Sequence, residues 1–458
     1  MTLKRPDVIV VGAGTAGCVT AKRCAELGLK TMLLDRRPES EIGKKVCGDE
    51  ISKSHFEFTG IEPPSGDEIS YEVKGADVYP PNMSNELQVR GWDDFDGWTI
   101  DRQLFGQRLL QRAVQMGVVF KPEVHVVGPI HLQERVAGVV YLDRHTDEKM
   151  AISCKLVVDA SGFAGAIRKK LDDPLVERDI AKEDVALCYR EILELKNPMA
   201  EPKVARVYLG GDAAPQGYAW VFPKGPKTVN AGVGITGGKG KAAPKSYFET
   251  FKKQNPLLHG ARVLEGGGGA VPIRRPMKSL VTDGIAFVGD AAWQVNPIHG
   301  GGIGAGMRAG IILGEVAKQA IARRDLSARG LWGYNTLYLR GFGRRLASLE
   351  VFKRLLQAVS DDDMNYGFEK RLLEATDLMA ANRGDGLSLG MRNKIGRVKR
   401  GASRVKLLVK LQKAAGLMKK VDRHYAKYPG TPDGLENWAR EINKIMESAK
   451  FTPKGQPS

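Results

Sequence analysis

The sequence predicts an α/β protein of three parts: a doubly wound domain on a mainly parallel sheet, a lobe on an antiparallel sheet, and a helical C-terminal region. Three observations indicate this division. Residues 6–35 read as buried strand, glycine turn, helix and strand, and residues 185–236 alternate as β-strands do. From residue 331 onward the pattern is helical and strongly basic. A chain of 458 residues is long enough for such an arrangement.

The composition is that of a folded protein with a basic surface. Hydrophobic residues make up 42% and charged residues 27%, which excludes a disordered chain. The formal charge of +17 favours an anionic partner, whether nucleic acid, a phospholipid surface or a phosphorylated substrate. The five cysteines show neither metal-ligand spacing nor a disulfide framework. No stretch reaches the roughly 18 apolar residues of a spanning helix. We therefore expect a cytoplasmic protein without a bound metal.

The first part of the chain carries a dinucleotide-binding pattern. The apolar run Val8–Val11 predicts a buried strand, residues 15–27 a helix and Thr31–Leu34 the next strand. The turn between strand and helix, Gly12-Ala-Gly14-Thr-Ala-Gly17, fits G-x-G-x-x-G, and Asp35 ends the second strand. These glycines suit a tight turn, close approach to a pyrophosphate and helix–strand packing, and Asp35 suits ribose hydroxyls. The spacing alone does not separate NAD from FAD.

A second glycine-rich loop separates the two nucleotides. Gly289-Asp290 follows the predicted strand 284–288, and Asn296-Pro-Ile-His-Gly-Gly-Gly302 then leads into a predicted helix over about 304–321. A carboxylate at a strand end and a glycine-rich helix start can bind a polyol chain and a pyrophosphate from the other side. Simple NAD enzymes have no need of this second loop. The two elements together therefore predict an FAD/NAD-binding Rossmann-like domain that holds FAD.

An aromatic motif lies in the middle of the chain. It reads Tyr218-Ala-Trp220-Val-Phe222-Pro223 and is followed by Gly232-Val-Gly234. On a strand the three aromatic side chains project from one face, Pro223 ends the strand, and the glycines allow close approach to the neighbouring backbone. Such a wall can line an apolar tunnel and steady a transient cation. A plain hydrophobic core stripe is the alternative that these residues leave open.

Taken together, the motifs resemble the geranylgeranyl reductase family, in particular the archaeal enzymes that saturate the isoprenoid chains of membrane lipids. The family pattern Y-x-W-x-F-P-x(7,8)-G-x-G is met by the aromatic motif, and Lys45-Val-Cys47-Gly48-Asp49-Glu50 resembles the family's cysteine–glycine stretch beside the flavin. The resemblance implies reduction of C=C bonds in geranylgeranyl chains, carried on a diphosphate or a glycerophospholipid precursor. It also implies an external electron donor, and the residues do not distinguish ferredoxin from NAD(P)H.

The resemblance assigns site residues position by position. Beside the three glycines of the first turn, the implied FAD contacts are Ala16, Asp35, Cys47, Gly48, Glu50, Arg102, Val126, Asp290, Gly302 and Ile303. The implied substrate-binding residues are Tyr218, Trp220, Phe222, Pro223, Gly232 and Gly234. Cys47, Tyr218 and Trp220 are also hypothesised to be catalytic, as a tunnel wall or in handling the proton and cation. Lys44 and Lys45 lie next to Cys47, so we expect an acidified thiol.

The C-terminal region carries concentrated positive charge. Segment 392–427 holds thirteen Lys or Arg residues against one acid, Asp422. Val405, Leu408, Leu411 and Ala415 fall near helical spacing, which predicts an amphipathic basic helix. Such a helix suits an anionic surface at the inner face of the membrane, and it suits equally a solvated lid over the flavin domain. Nucleic acid is disfavoured, because no binding fold accompanies the charge.

The predicted domain boundaries are discontinuous. The FAD-binding domain is expected to comprise residues 1–70, 100–180 and 270–330, the substrate-binding lobe 71–99 and 181–269, and the basic helical region 331–458. A chlorophyll-side-chain reductase is a closely related alternative, and two more distant functions fit the same fold. One is a flavin-dependent hydroxylase or halogenase, although Tyr218 and Phe222 depart from the halogenase motif W-x-W-x-I-P. The other is a non-catalytic, membrane-associated flavin redox protein.

Overall fold

The computed structural model describes residues 5–92, 96–237, 242–377, 396 and 400–451. Its strands, numbered in chain order, are β1 Val8–Val11, β2 Thr31–Leu34, β3 Glu50–Ser52, β4 Ile69–Val73, β5 Gly75–Tyr79, β6 Leu87–Arg90, β7 Gly97–Ile100, β8 Val119–Lys121, β9 Val124–Leu132, β10 Arg135–Asp143, β11 Lys149–Ser153, β12 Leu156–Asp159, β13 Val185–Glu194, β14 Val204–Leu209, β15 Tyr218–Pro223, β16 Thr228–Thr236, β17 Arg262–Pro272, β18 Val281–Thr282 and β19 Ile285–Phe287.

The helices are numbered in the same way. They are α1 Thr15–Glu26, α2 Ser54–Thr59, α3 Arg102–Gln115, α4 Pro244–Gln254, α5 Ile303–Arg323, α6 Ala328–Tyr338, α7 Arg344–Ala358, α8 Asp361–Glu369, α9 Val405–Ala426 and α10 Leu435–Ser448. The mixed α/β class predicted from the sequence is confirmed.

The first sheet has the order β18-β19-β12-β1-β2-β8, and its central pairs are parallel. Strand β1 lies in the middle and every residue of it is buried, because helices cover both faces of such a sheet. Helix α1 begins directly after the glycine turn and packs against α5. The strands of the first part therefore end at one edge, where the two glycine-rich loops meet.

The second large sheet has the order β17-β13-β16-β15-β14-β5-β6 and is antiparallel except where β14 pairs with β5. The predicted β alternation over 185–236 is confirmed by β13 to β16. Strand β17 carries four consecutive glycines opposite β13, at the Cys188 to Glu191 positions. This sheet lies across the nucleotide-binding part and supplies one long wall of the space between them.

The C-terminal helices are joined to the rest of the protein by buried charge pairs. Glu350 on α7 is fully buried and accepts hydrogen bonds from Arg275, 3.1 Å away, which holds the pKa of the Glu350 carboxyl well below its usual range against the effect of burial. Lys353 on α7 pairs with Asp184 at 2.9 Å. A buried pair is costly to break because it leaves one charge uncompensated. Helix α7 is thus fixed against the antiparallel lobe.

The basic helix exists as α9. Of the four apolar residues predicted for its packed face, Leu411 and Ala415 are buried and Leu408 packs against the same core. The prediction is wrong for Val405, the first residue of the helix, which is 60% exposed. Residues 392–395 and 397–399 of the basic segment lie outside the described residues.

Among the described residues, no helix is long and apolar enough to span a membrane. The predicted domain boundaries stay a prediction.

Candidate active site

A single large cavity of about 1940 Å³ runs between the parallel sheet, the antiparallel sheet and the C-terminal helices. Small-molecule pockets usually measure roughly 300–1,000 Å³. The cavity is lined at one end by the turn after β1 and by Asp35, in the middle by loop 43–49 and the glycine loop 296–302, and at the other end by β15 and α7. It therefore has room for a dinucleotide and a second long ligand.

The turn after β1 is shaped by glycines that differ in what surrounds them. Gly12 has φ +108°, and a Cβ there would lie 2.4 Å from the carbonyl oxygen of Ala160. A Cβ on Gly17 would overlap the Gly12 carbonyl, so this glycine allows α1 to pack against the turn. A Cβ on Gly14 would meet no protein atom within 4 Å. The protein needs no glycine at position 14 for its own packing, and the open space there faces the cavity.

Asp35 closes the turn from the neighbouring strand. Its carboxylate accepts a hydrogen bond from the Ala13 N–H at 2.6 Å and another from the Arg37 N–H at 2.9 Å. These bonds fix the carboxylate at the carboxyl end of β2, on the cavity side. Each carboxylate oxygen can accept more than one hydrogen bond, so a ribose hydroxyl can still be bound there.

Two helix N-termini face the same region without side-chain caps. Neither Gly14, before α1, nor Gly302, before α5, supplies a side-chain hydrogen bond to the first turn of its helix. Arg102 lines the cavity beside them; its Nη2 donates to Thr15 Oγ1 at 3.2 Å, and its Nε and Nη1 are buried without a partner among the described residues. Free helix N–H groups and an unsatisfied guanidinium are the groups that bind a diphosphate. The residues present therefore fit a dinucleotide such as FAD.

Asp290 lies at the second loop, where its carboxylate pairs with Lys45 at 2.9 Å. This ion pair joins loop 43–49 to the glycine loop across the cavity. Lys45 was expected to acidify the Cys47 thiol, and that expectation is wrong. Burial, together with the Asp49 carboxylate that accepts the thiol hydrogen bond at 2.8 Å, raises the pKa of Cys47 to about 11. The thiol is therefore protonated at neutral pH.

The aromatic wall, Tyr218, Trp220 and Phe222, occupies one face of β15. The ring centroids are 5.8 Å apart between Tyr218 and Trp220 and 6.1 Å apart between Trp220 and Phe222. All three line the cavity. The Tyr218 hydroxyl donates to the carbonyl of His299 at 2.7 Å, which joins the wall to the glycine loop. The wall faces the cavity and is more than a core stripe.

Behind the wall lies a buried polar cluster, formed by Cys47, Asp49, Lys224 and Asn230. Trp220 Nε1 donates to Asn230 Oδ1 at 3.0 Å, and Asn230 Nδ2 donates to Asp49 at 2.9 Å and to the Cys47 carbonyl at 2.7 Å. Lys224 Nζ donates to Asp49 at 3.1 Å. The sequence analysis missed Asp49, Lys224 and Asn230. An amide inside the otherwise apolar run of β16 is a signal that would have pointed to one of them.

Glu50 lies next to Asp49 but in a different environment. Its side chain lines the cavity and forms no hydrogen bond or ion pair with another described residue. Desolvation raises the pKa of the Glu50 carboxyl to about 7. The adjacent carboxyls of Asp49 and Glu50 are thus in different environments. Asp49 accepts hydrogen bonds from a lysine, an amide and a thiol, whereas Glu50 has few neighbouring groups that stabilise its charge.

Most of the predicted site residues line the cavity, and three do not. Gly17, Pro223 and Gly232 lie behind the lining. A Cβ on Gly232 would lie 2.4 Å from the Trp220 ring. The indole therefore packs directly on the backbone of Gly232 and separates it from the cavity. The opposite wall was missed from the sequence and comes from α7, whose lining residues include Leu346, Leu349, Phe352 and Leu356.

Fold and site together define the class of protein: an oxidoreductase with a Rossmann-like dinucleotide-binding part and an antiparallel lobe over it. The comparisons with known proteins agree. The family model "Geranylgeranyl reductase catalytic domain" matches residues 184–271, and the model "Lycopene cyclase protein" matches residues 7–175. A solved geranylgeranyl bacteriochlorophyll reductase-like protein from Thermoplasma acidophilum superposes with a TM-score of 0.75 at 25% identity, covering 90% of this chain and 99% of that one.

Curated relatives narrow the class further. The digeranylgeranylglycerophospholipid reductase of Sulfolobus acidocaldarius is 36% identical over 96% of this chain and 97% of its own length. That of Methanothrix thermoacetophila is 31% identical over 79% of this chain and 90% of its own length. The chain belongs to the digeranylgeranylglycerophospholipid reductase family. The halogenase CndH shares only the fold, with a TM-score of 0.65 at 16% identity.

Proposed function

We propose that this protein saturates C=C bonds of geranylgeranyl chains in archaeal membrane lipid biosynthesis, using FAD as its cofactor. The observation that carries the proposal is the aromatic wall of β15, which lines the same continuous cavity as the glycine loops and the Cys47 loop. The cavity continues from there along the apolar face of α7. A long isoprenoid chain needs such an extended apolar space.

The FAD would be held by backbone and side chains at the glycine-lined end. The first turns of α1 and α5, with Arg102, would bind the diphosphate, Asp35 the ribose of the adenosine and Asp290 the ribityl chain. Val126, on β9, would contact the adenine. When bound and reduced, the flavin supplies hydride for the double bond. The chain's own residues orient the two ligands and exclude water around them.

Besides lining the cavity, the aromatic wall stabilises positive charge that develops on the substrate. An isolated trisubstituted alkene accepts hydride poorly, so protonation of one carbon has to build positive charge on the other. The faces of Trp220 and Tyr218 carry negative quadrupole density, and cation–π attraction reaches about 2 kcal/mol in a desolvated site. Water would quench this charge, and the apolar lining keeps it away.

The direct test uses the dithionite-reduced protein and a geranylgeranyl glycerophospholipid. We expect anaerobic reoxidation of the flavin and a mass gain of two hydrogens for every bond reduced. Trp220→Ala should lower turnover by roughly 10²-fold through lost positioning and charge stabilisation. Trp220→Phe keeps an aromatic face and should retain more activity. Full turnover with an unchanged product pattern in Trp220→Ala would remove the wall from the mechanism, and no flavin reoxidation in the wild type would overturn the proposed function.

The basic helix α9 offers a surface for the membrane that holds the substrate. Val405 and Val409 are 60% and 58% exposed, and exposed lysines such as Lys406 and Lys413 flank them on the same helix. Exposed apolar side chains bordered by lysines fit an anionic lipid surface. Co-sedimentation with anionic vesicles, weakened in the double variant Val405→Asp/Val409→Asp, is the expected result. Equal binding to zwitterionic vesicles would contradict it.

A further inference from the structure

The thiol of Cys47 and the indole of Trp220 come from different parts of the chain but share one support. Asp49 accepts the Cys47 thiol hydrogen bond at 2.8 Å, and Asn230 accepts the Trp220 indole N–H at 3.0 Å. The two supporting side chains are joined directly by the Asn230 Nδ2–Asp49 bond of 2.9 Å. Both are buried, Asn230 completely and Asp49 to all but 5% of its surface. One continuous chain of hydrogen bonds therefore links the two cavity groups.

The support is costly for the fold to maintain. Asp49 has φ +63°, a left-handed conformation that a non-glycine residue rarely adopts and that strains the backbone. A buried carboxylate adds a desolvation cost unless it is paired, and Lys224 supplies that pairing at 3.1 Å with its own second bond to the Ile100 carbonyl at 2.9 Å. Apolar residues would fill the same space at lower cost. Backbone strain and a buried charge at the same residue indicate that the site requires a carboxylate at this position.

We infer that Asp49 and Asn230 are positioning residues of the reductase, which fix the Cys47 S–H and the Trp220 ring relative to each other in the lining of the cavity. This inference rests on the proposed function. Asp49 acts on the thiol in a second way. Its negative charge disfavours a thiolate beside it, so the sulfur keeps its proton, which is donated to Asp49, and the neutral sulfur lines the cavity. Burial acts in the same direction on the pKa of Cys47.

Other charged groups near the thiol oppose this effect. Lys45, from the same loop, and Arg102, from α3, both favour the thiolate, and burial and Asp49 outweigh them. Lys224, at the end of β15, is held by Asp49. Removing the carboxylate would leave Lys224 without its ion-pair partner and the thiol without the Asp49 charge, while Lys45 and Arg102 still favour the thiolate. The thiol should then ionise at lower pH, a shift that mere loosening of the structure does not produce.

The experiment measures alkylation of Cys47 by iodoacetamide in the FAD-loaded protein as a function of pH, with the modified cysteine identified by mass spectrometry. In Asp49→Asn we expect the rate at pH 8 to rise about tenfold, because the thiolate is the nucleophile and its population increases. Modification of the buried Cys18 and Cys24 would report unfolding instead. An unchanged pH profile with an intact fold would overturn the electrostatic half of the inference.

The positioning half is tested by Asn230→Leu, which removes the three hydrogen bonds of the Asn230 amide, to Trp220, Asp49 and the Cys47 carbonyl, at nearly constant volume. We expect kcat to fall by about 10²-fold with KM changed much less, as misplacement of a reacting geometry predicts. Asn335→Leu is the matched control, because Asn335 is another fully buried amide and lies outside the cavity lining. Equal losses of kcat in both variants would overturn the positioning role. A wild type that fails to reduce lipid, with the alkylation shift intact, would refute the proposed function alone.

Discussion

The two ends of the cavity are built in different ways. At the nucleotide end, the groups that face the ligand are largely backbone: the open surface of Gly14, the uncapped first turns of α1 and α5, and one carboxylate fixed by two N–H groups. At the lipid end they are side chains, namely the aromatic wall and the apolar face of α7. Backbone at a strand end is fixed by the sheet itself, whereas side chains depend on what packs behind them.

This difference indicates which amino-acid substitutions each end of the cavity should tolerate. A diphosphate needs N–H groups at fixed positions, so a substitution that moves the turn by a fraction of an ångström affects both fold and binding. The lipid end is held by a few polar contacts behind an apolar surface, such as Tyr218 to His299. Substitutions there should alter reaction and specificity more than the fold. The following predictions test that contrast, from the largest expected effect to the smallest.

Gly12→Ala should be the most damaging change. Its Cβ would lie 2.4 Å from the Ala160 carbonyl oxygen, and φ +108° is strained for alanine. Backbone strain and overpacking together predict a loss of more than about 3 kcal/mol in the free energy of unfolding. Urea denaturation and flavin content measure it. Retention of wild-type stability would show that the turn is less rigid than its geometry indicates.

Gly14→Ala separates ligand binding from fold at the same end. The added Cβ meets no protein atom within 4 Å and φ is −71°, so the free energy of unfolding of the FAD-free protein should change little. The methyl group would block the approach of the diphosphate, and we expect FAD affinity to fall at least about tenfold, or 1.4 kcal/mol. Flavin fluorescence titration measures the affinity. Unchanged affinity would place the diphosphate elsewhere.

Glu50→Gln tests the middle of the cavity through pH. Because the pKa of Glu50 is raised from 4.5 to about 7, its ionisation destabilises the folded state, and the free energy of unfolding falls as pH rises between those values. The variant does not lose this part of the free energy of unfolding. It should be about 1–2 kcal/mol more stable than wild type above pH 7, after allowance for screening by cavity water. Below pH 4.5 the two should match. Melting curves with and without FAD measure the difference.

Tyr218→Phe should have the smallest effect. It removes the hydrogen bond to His299, which predicts a loss of about 1 kcal/mol in the free energy of unfolding. Tyr189→Phe is the control, since its hydroxyl bonds Glu191 on the other face of the sheet. A larger effect on turnover than on stability is expected only for Tyr218→Phe. Equal effects of the two variants would mean that the bond to the glycine loop has no role in the reaction.

The same contrast explains what the sequence could predict. Glycine spacing, Asp35 and the second loop act through local backbone geometry, so the pattern of residues 6–35 was sufficient to predict β1, α1 and β2, and the apolar run 284–288 to predict β19. The periodicity of 185–236 predicted the antiparallel lobe. Alternation on one strand likewise predicted that Tyr218 and Trp220 share a face.

What was missed depends on contacts between distant segments. The cluster of Asp49, Lys224 and Asn230 forms only when loop 43–49 lies against β15 and β16, and no spacing encodes that meeting. The acidified thiol was predicted from neighbours in sequence. In the fold Lys45 turns to Asp290, and Asp49 becomes the stronger influence on Cys47. On α9 only Val405 was misplaced: it is the first residue of the helix and is exposed.

Substitutions in helix α7 can change which substrate the protein accepts without changing the reaction that it catalyses. Its inner face supplies Leu346, Leu349 and Phe352 to the far end of the cavity, while Arg275 and Asp184 hold its backbone in place. Substitutions on that face resize the space for an isoprenoid tail and leave the glycine turns and the Cys47 loop untouched. Chain length and redox chemistry can therefore diverge independently among descendants of one ancestral enzyme.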